Sequence, residues 1–541
     1  MNEFAGKTYG AALAHVAQRF GDRRALVFQG REWRFAEVKA EVDDRAARLG
    51  TLGLAPQDKV ALWMSNRPDF IWYWLAIGQV GLVAVLLNTR LTAEEITFQL
   101  RQSETRAIIV PGRDAHRDFL GDLVAICPAL EWSSPGDIAA TELPDLRHVI
   151  CLDPPASRAA GVTDWSAPAA GAAPPANETD PSRPTMIVYS SGSTALPKGV
   201  MLTHAVWRKA YDHGPYFGQT ADDCLYLCVP LFGIMANVNG ILTMWTRGSC
   251  VVLEDGFDAG TALRDMATYR CSVVYLMPVM LDRLLHHSDR ATFDLSRLRT
   301  GTVITKDPHI LRQAIEELGL RELYATYGMS ETSSVILRSH GTDPLEVRLN
   351  SHGKPLPGIE VRIADPDTGR AVADGETGEI QVRGYSIMAG YYNNPDATRA
   401  AFTEDGWFRT RDAGFRRPDG NIRFVERLAD GYKHNGFNVS SIEIEAALMR
   451  HPAVAEAAVT GIPERLSGEQ GIAFVVLRQI GAAAEADLAA YLRPLLPSYK
   501  RPSRIFIVPD LPVTAGTGKV QKFRLKQMAE ARLAAELSGH S

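Results

Sequence analysis

The stretch Thr185-Met-Ile-Val-Tyr-Ser-Ser-Gly-Ser-Thr-Ala-Leu-Pro-Lys-Gly-Val-Met-Leu-Thr-His204 decides how the rest of the chain is read. Met186, Ile187 and Val188 form a short apolar run with the length and flanks of a buried strand. It delivers the chain into a loop, residues 190–199, crowded with hydroxyls, two glycines and one lysine. Hydroxyls and free backbone N–H groups cradle phosphate oxygens, and Lys198 supplies a point charge. Such clusters are commonly plain surface turns; here several other stretches agree with phosphate binding. A Walker loop is excluded by residue order, because Lys198 precedes Gly199 and Val200 follows. Gly518-Lys519 fails the same test, with Val513 and Val520 where glycine and Ser/Thr belong.

Working outward, 541 residues exceed one ordinary core, so two or more domains are expected. With 22% charged and 46% hydrophobic residues the balance is that of a soluble globular protein. A net charge of −5 and the lack of a basic run argue against nucleic-acid or membrane-surface partners. Six cysteines suit a reducing cytosol, and Cys224 and Cys228 lack a second His or Cys pair for zinc. The first residues do not read as a signal peptide, so a cytoplasmic protein is expected. Residues 71–87 are mostly apolar but short for a membrane span, and Gly78, Gln79 and Gly81 interrupt them. A buried helix turning into a core strand explains them better.

From residue 9 to residue 110, helical spacing alternates with short β-branched runs, implying a largely parallel, doubly wound sheet. Residues 154–184 are rich in Ala and Pro and read as a solvated loop. Strands are expected again at residues 224–230, 249–253 and 272–276. Tyr324-Ala-Thr-Tyr-Gly-Met-Ser-Glu331 brings an aromatic ring, a glycine, a hydroxyl and a carboxylate together at a strand end, where open α/β sheets bind ligands. Residues 353–360 and 375–384 read as hairpins of a smaller sheet. Residues 441–450 read as an amphipathic helix, and residues 453–460 and 473–477 as strands of a small α+β unit.

Ser190-Ser-Gly-Ser-Thr194 with Pro197-Lys-Gly199 resembles the phosphate loop of the adenylate-forming superfamily: acyl-CoA synthetases, aryl-CoA ligases, luciferase-like enzymes and peptide-synthetase adenylation domains. Residues 324–331, Gly406-Trp-Phe-Arg-Thr-Arg-Asp412, residues 427–439 and Leu511-Pro-Val-Thr-Ala-Gly-Thr-Gly-Lys519 carry the same resemblance, which covers nearly the whole chain. It implies an α/β fold: a large N-terminal domain of doubly wound mixed sheets with a small β subdomain, then a small mobile α+β lid. The boundary would fall between residues 1–428 and 429–541, with the hinge at Ala429 and the catalytic-lysine loop at residues 512–522.

By the same resemblance Ser190, Ser191, Gly192, Ser193, Thr194 and Lys198 hold the ATP phosphates. Tyr327 stacks on adenine, with Gly328 and Met329 beside the nucleotide, Ser330 at the α-phosphate, and Asp412 and Arg427 on the ribose; Val303 and Ile304, larger than the family's small residues there, lie beside the nucleotide or line the acyl pocket. Glu331 holds Mg²⁺, as a hard cation sharing carboxylate and phosphate oxygens requires. Phe232, Gly233, Ile234, Met235, Asn237 and Thr326 line the acyl pocket. Lys519, with Glu331 and Thr194, serves adenylation, and Lys433 and Gly436 serve the thioester step. Departures from the family pattern are Ala195, Gly233 for the usual histidine, Arg411 for a glycine, Ala429 at the hinge and an extra residue near Gly516. Gly233 either widens the pocket for a bulky acid or is neutral.

The resulting expectation is an ATP-dependent acyl-CoA synthetase using ATP, Mg²⁺ and CoA on a hydrophobic fatty or aryl-alkyl acid, since Val303, Ile304 and the residues around Phe232 show no charge partner. A carrier-protein thiol as acceptor, and a degenerate binder without turnover, stand as alternatives. The oligomeric state is open, a homodimer included.

Overall fold

The computed structural model describes residues 2–153, 159–165, 176–190, 197–305, 307–365, 368–427, 431–479, 481–512, 520 and 522–538. Two large sheets share one core. In the first, Lys59–Leu62, Val83–Leu86, Thr105–Val110, His148–Cys151 and Pro184–Ser190 run parallel. Antiparallel strands Lys198–Thr203 and Gly390–Tyr391 extend one edge. In the second, Arg24–Phe28, Cys224–Leu227, Cys250–Leu253, Val273–Leu276, Thr300–Val303 and Glu322–Leu323 run parallel. Continuous Val/Ile/Leu runs suit these strands because both faces are covered. One core cluster takes side chains from both sheets together with the helices Pro68–Gln79 and Ala205–His213, which lie between them. Further clusters cover the opposite face of each sheet. The doubly wound expectation holds. Residues 71–87 become the end of a buried helix and the core strand Val83–Leu86. Among the described residues no helix is long and apolar enough to cross a membrane.

Ile359–Ala364, Gly378–Gly384, Phe408–Arg416 and Ile422–Arg427 form a four-stranded antiparallel sheet. Only part of residues 353–360 belongs to it. Lys354–Pro355 instead joins Ser334–Arg338 in a separate three-stranded sheet. Past residue 430 a five-stranded sheet, Gly431–His434 to Arg504–Ile507, carries the helices Ser441–Met449, Glu485–Leu492 and Lys522–Ser538.

Two further expectations need correction. The Ala/Pro-rich stretch is not wholly a solvated loop: Val162–Asp164 extends the first sheet, Val162 is buried, and Trp165 stacks on Tyr73 at 6.0 Å. A single aromatic ring anchors a segment whose average composition promised nothing. The helix Ser441–Met449 has no purely solvent-facing polar side, because Glu443 pairs with Lys500 and Glu445 with Lys522. Residues 235–242 take a form the sequence reading did not address. Met235–Leu242 is a π-helix, its Ala236 to Leu242 side buried among the two sheets.

Candidate active site

Ser190 and Lys198 are Cα partners at the open end of the strand pair Pro184–Ser190 and Lys198–Thr203. The loop joining them, with Ser191, Gly192, Ser193 and Thr194, lies outside the described residues, as do the Ala429 hinge and Lys519. Opposite Ser190 a tight turn, Ser330–Thr332, links the strands Thr326–Met329 and Ser334–Arg338. Thr332 Oγ1 donates to Ser334 O at 2.7 Å and Met388 N to Glu331 O at 2.8 Å, fixing the turn. Ser333 and Ser334 both have positive φ, 53° and 89°, a strained backbone of the sort found where a site must be held in shape. Gly328 is required by space: a Cβ there would lie 2.1 Å from Ser334 O.

The turn delivers Glu331. Its Oε1 accepts from Ser190 Oγ at 3.1 Å and from Tyr391 OH at 3.0 Å. Lys198 Nζ stands 5.2 Å from the Tyr391 ring centroid. A carboxylate, two hydroxyls and an ammonium thus converge where the phosphate loop begins. Tyr391 was not among the residues singled out in the sequence, since it arrives on a two-residue strand, Gly390–Tyr391, with no motif of its own. Among the described residues no group of three His, Cys, Asp or Glu side chains could enclose a metal. A lone carboxylate nevertheless fits Mg²⁺, which binds through one or two carboxylates plus substrate phosphates.

On the far side of the same turn Tyr327 OH donates to Asp412 Oδ2 at 2.7 Å. The Tyr327 ring stacks on Phe424 at 5.5 Å and meets His352 edge-on. One ring face is therefore occupied by protein, which sequence reading did not foresee. Asp412 is buried, and Arg427 is its Cα partner on the neighbouring strand. The preceding Arg411 adopts φ 62°, the left-handed region where glycine is unstrained.

Phe232, Ile234 and Met235 are half-buried at the edge of the inter-sheet core, together with Met277 and Met329. A Cβ on Gly233 would meet only Pro230 O, at 3.4 Å, so the absent side chain leaves open space. Asn237 does not face that space with its amide nitrogen: Nδ2 donates to Leu231 O at 2.9 Å, holding the loop. Val303 departs more clearly from its expected place beside the nucleotide. Its Cα partner is Leu276, and both side chains lie in the core on the other face of the sheet. Alternation along the strand gives the inner face to Thr302, partner of Tyr275. Ile304, just past the strand end, is half-buried, as is Thr326.

The C-terminal unit reaches this cleft. Asn435 and Gly436, φ 49° and 79°, make the two-residue turn between Gly431–His434 and Phe437–Ser440. A Cβ on Gly436 would lie 2.6 Å from Met277 Sδ. Lys433, on the same hairpin, is exposed. Lys500 pairs with Glu95, Asn88 Nδ2 donates to Tyr499 OH at 3.3 Å, and Arg90 covers the Phe437 ring at 5.1 Å.

The turn thus carries Glu331 with its hydroxyl partners on one side and the buried Asp412 on the other, beside an apolar cleft. Comparison with known proteins shows the family. Residues 13–392 match the AMP-binding enzyme family and residues 443–519 the AMP-binding enzyme C-terminal domain. The putative acyl-CoA synthetase YngI of Bacillus subtilis is 31% identical, the match covering 97% of this chain and 98% of that protein. Two structures of o-succinylbenzoate CoA synthetase from Bacillus subtilis, each 26% identical with 96% of this chain and 98% of that one covered, differ in their likeness. A double mutant bound to its product analogue OSB-NCoA gives a TM-score of 0.80, whereas the complex with the acyl-adenylate OSB-AMP gives 0.65. The chain belongs to the AMP-binding enzyme family, the adenylate-forming superfamily, on its acyl-CoA synthetase branch.

Proposed function

We propose that the protein is an ATP-dependent carboxylate–CoA ligase that converts a hydrophobic fatty or aryl-alkyl acid, ATP and CoA into acyl-CoA, AMP and pyrophosphate. The observation that carries this reading is the convergence of Ser190, Tyr391 and Glu331 beside Lys198, with Tyr327 and Asp412 behind the same turn. A carboxylate is a poor electrophile; joining it to AMP gives it a good leaving group. The demand on the protein is positioning and charge stabilisation around an in-line attack on the α-phosphate. Lys198 and the hydroxyls at residues 190–194 hold the triphosphate, and Asp412 and Arg427 receive the ribose. Glu331 is the residue that would hold Mg²⁺, which when bound neutralises charge on the departing pyrophosphate. Lys519 bridges the acid and the α-phosphate during adenylation.

The second step needs the lysine loop removed and a thiol admitted. The Gly436 hairpin resting on Met277, and the higher TM-score with the product-analogue complex, support reading the described arrangement as the thioester-forming one. The boundary near residue 429 and the swing of residues 429–541 about it belong to the same proposal. A carrier-protein thiol remains the alternative acceptor.

The test is a panel of acids scored by pyrophosphate release, followed by thioester assay with CoA and with carrier protein. Release that depends on acid and a product formed with CoA are expected. No release with any acid would overturn the reading, and a product formed with carrier protein alone would overturn the acceptor. Lys519→Ala should abolish adenylation yet spare thioester formation from supplied acyl-adenylate.

A further inference from the structure

Beneath the apolar cleft lies a group of buried nitrogen-bearing side chains with no carboxylate hydrogen-bonded to Lys209 or Arg338 among the described residues. The helix Ala205–His213 turns Lys209 and His213 towards the π-helix Met235–Leu242, and Arg338 reaches them from Ser334–Arg338. Lys209 is 0% exposed and Arg338 1%. Lys209 Nζ donates to Asn239 Oδ1 at 2.8 Å and has further N–H capacity to place. Arg338 donates to His213 O at 3.2 Å and sets its Cζ 3.3 Å from the Tyr324 ring centroid, while its Nε and Nη2, and His213 Nε2, are buried without hydrogen-bond partners among the described residues. Among the described residues no carboxylate is in hydrogen-bond contact with Lys209, although Asp212 acts on it through space and partly offsets burial and Arg338. Asp212, next to them in sequence, is taken by Tyr385 OH at 2.6 Å and Asn2 Nδ2 at 2.7 Å.

Buried lysines are almost always paired, because a polar nitrogen left unmatched out of water is costly whether charged or neutral. Burial, with Arg338 nearby, holds the Lys209 ammonium well below the ordinary lysine range. A methionine or leucine would fill the same space at no such cost, so a purely alkyl substrate leaves this lysine without a purpose. The link to the cleft is Asn239. Its Nδ2 donates to Ser334 Oγ and lies 3.5 Å from Met235 Sδ, a weak acceptor on the half-buried rim. The polar floor is thus one side chain below the apolar walls.

We propose that Lys209 and Asn239 form a specificity subsite, and that the acid activated has a hydrophobic body with a hydrogen-bond acceptor, a ketone or second carboxylate oxygen, at the end remote from the reacting carboxylate. This rests on the cleft being the acid-activating site. The distal oxygen takes Asn239 Nδ2 in place of the Met235 sulfur and receives an N–H from Lys209. Sites built to hydrogen-bond a substrate oxygen discriminate strongly against analogues lacking it, because their polar groups are then left unpaired.

The experiment compares matched acids of equal length: alkanoic acids against their ω-oxo and dicarboxylic counterparts, and arylpropanoic acids against ring-acetylated ones. The readout is kcat/KM for pyrophosphate release by the full chain and by Lys209→Met. Wild type should favour the oxygenated member by at least about tenfold. Lys209→Met should collapse that ratio while KM for ATP moves less than about twofold, which a general loosening of the fold would not do. Wild type preferring the plain acid overturns the inference without any variant, and so does an unchanged ratio in Lys209→Met. Release with plain acids alone sinks this inference and leaves the ligase reading intact; release with neither set sinks both.

Discussion

Lys500 Nζ lies 2.7 Å from Glu95 Oε1 and 2.8 Å from Glu443 Oε1, with the lysine side chain only 3% exposed. Glu95 belongs to the helix Ala93–Gln102 and Glu443 to Ser441–Met449, so one ammonium bolts the C-terminal unit to the first sheet's helical cover. Burial pulls the ammonium's pKa down, but Tyr499, Glu443 and Glu95 outweigh it and hold it above the ordinary lysine range. Glu95→Gln keeps the helix capping contact with Thr92 but removes one charge. Hydrogen bonds to charged groups contribute about 1.5–3 kcal/mol, so docking should weaken roughly tenfold or more. Thioester formation from supplied acyl-adenylate is expected to slow by that factor while pyrophosphate release is kept. Equal slowing of both half-reactions would count against a docking role.

Glu331 is expected to set the metal requirement. Even outer-shell partners of a metal cost about 10–100-fold in affinity when removed, and a direct ligand should cost at least as much. Glu331→Ala should therefore raise the Mg²⁺ concentration giving half-maximal pyrophosphate release by about tenfold or more. An unchanged titration curve takes Glu331 out of the metal site.

Tyr327→Phe keeps the stack on Phe424 and deletes only the hydroxyl that holds Asp412. With the carboxylate less well oriented, KM for ATP should rise roughly tenfold, the value of one hydrogen bond to a charged group, and KM for the acid should stay put. A rise in the acid's KM instead would place Tyr327 at the acyl end.

Burial, reinforced by Asp265, pushes the Glu254 carboxyl up to about 8 from 4.5. The folded state then holds this proton more tightly than the unfolded chain does. Its contribution to stability is full below about pH 4.5 and is lost as pH rises towards 8. Glu254→Gln, which mimics the protonated form, should flatten the fall in Tm across that window. Thermal melts of equal pH slope in both proteins would clear Glu254 of the effect.

What could be read from the chain beforehand was whatever is encoded locally. Continuous apolar runs gave the parallel strands, and the cluster from Tyr324 to Glu331 needs its glycine, hydroxyl and carboxylate at fixed spacing. Arg411 stood out as a departure, and its φ of 62° shows what the usual glycine would relieve. Features set by distant partners stayed hidden. Trp165 is anchored by Tyr73, Tyr391 reaches Glu331 from sixty residues away, and Lys209 finds Asn239 thirty residues on. Val303 was misplaced because a strand's composition does not say which face each residue takes; the pairing with Leu276 does.

The wide i→i+5 winding of Met235–Leu242 has a practical corollary for anyone wishing to retune this protein. In a π-helix the bearing of every later side chain depends on how many residues the segment contains. Deleting one residue there would swing Asn239 and Thr243 to new headings at a stroke, a change that no set of point substitutions reproduces. Libraries that vary the segment's length, rather than its letters, are the shorter road to new substrates.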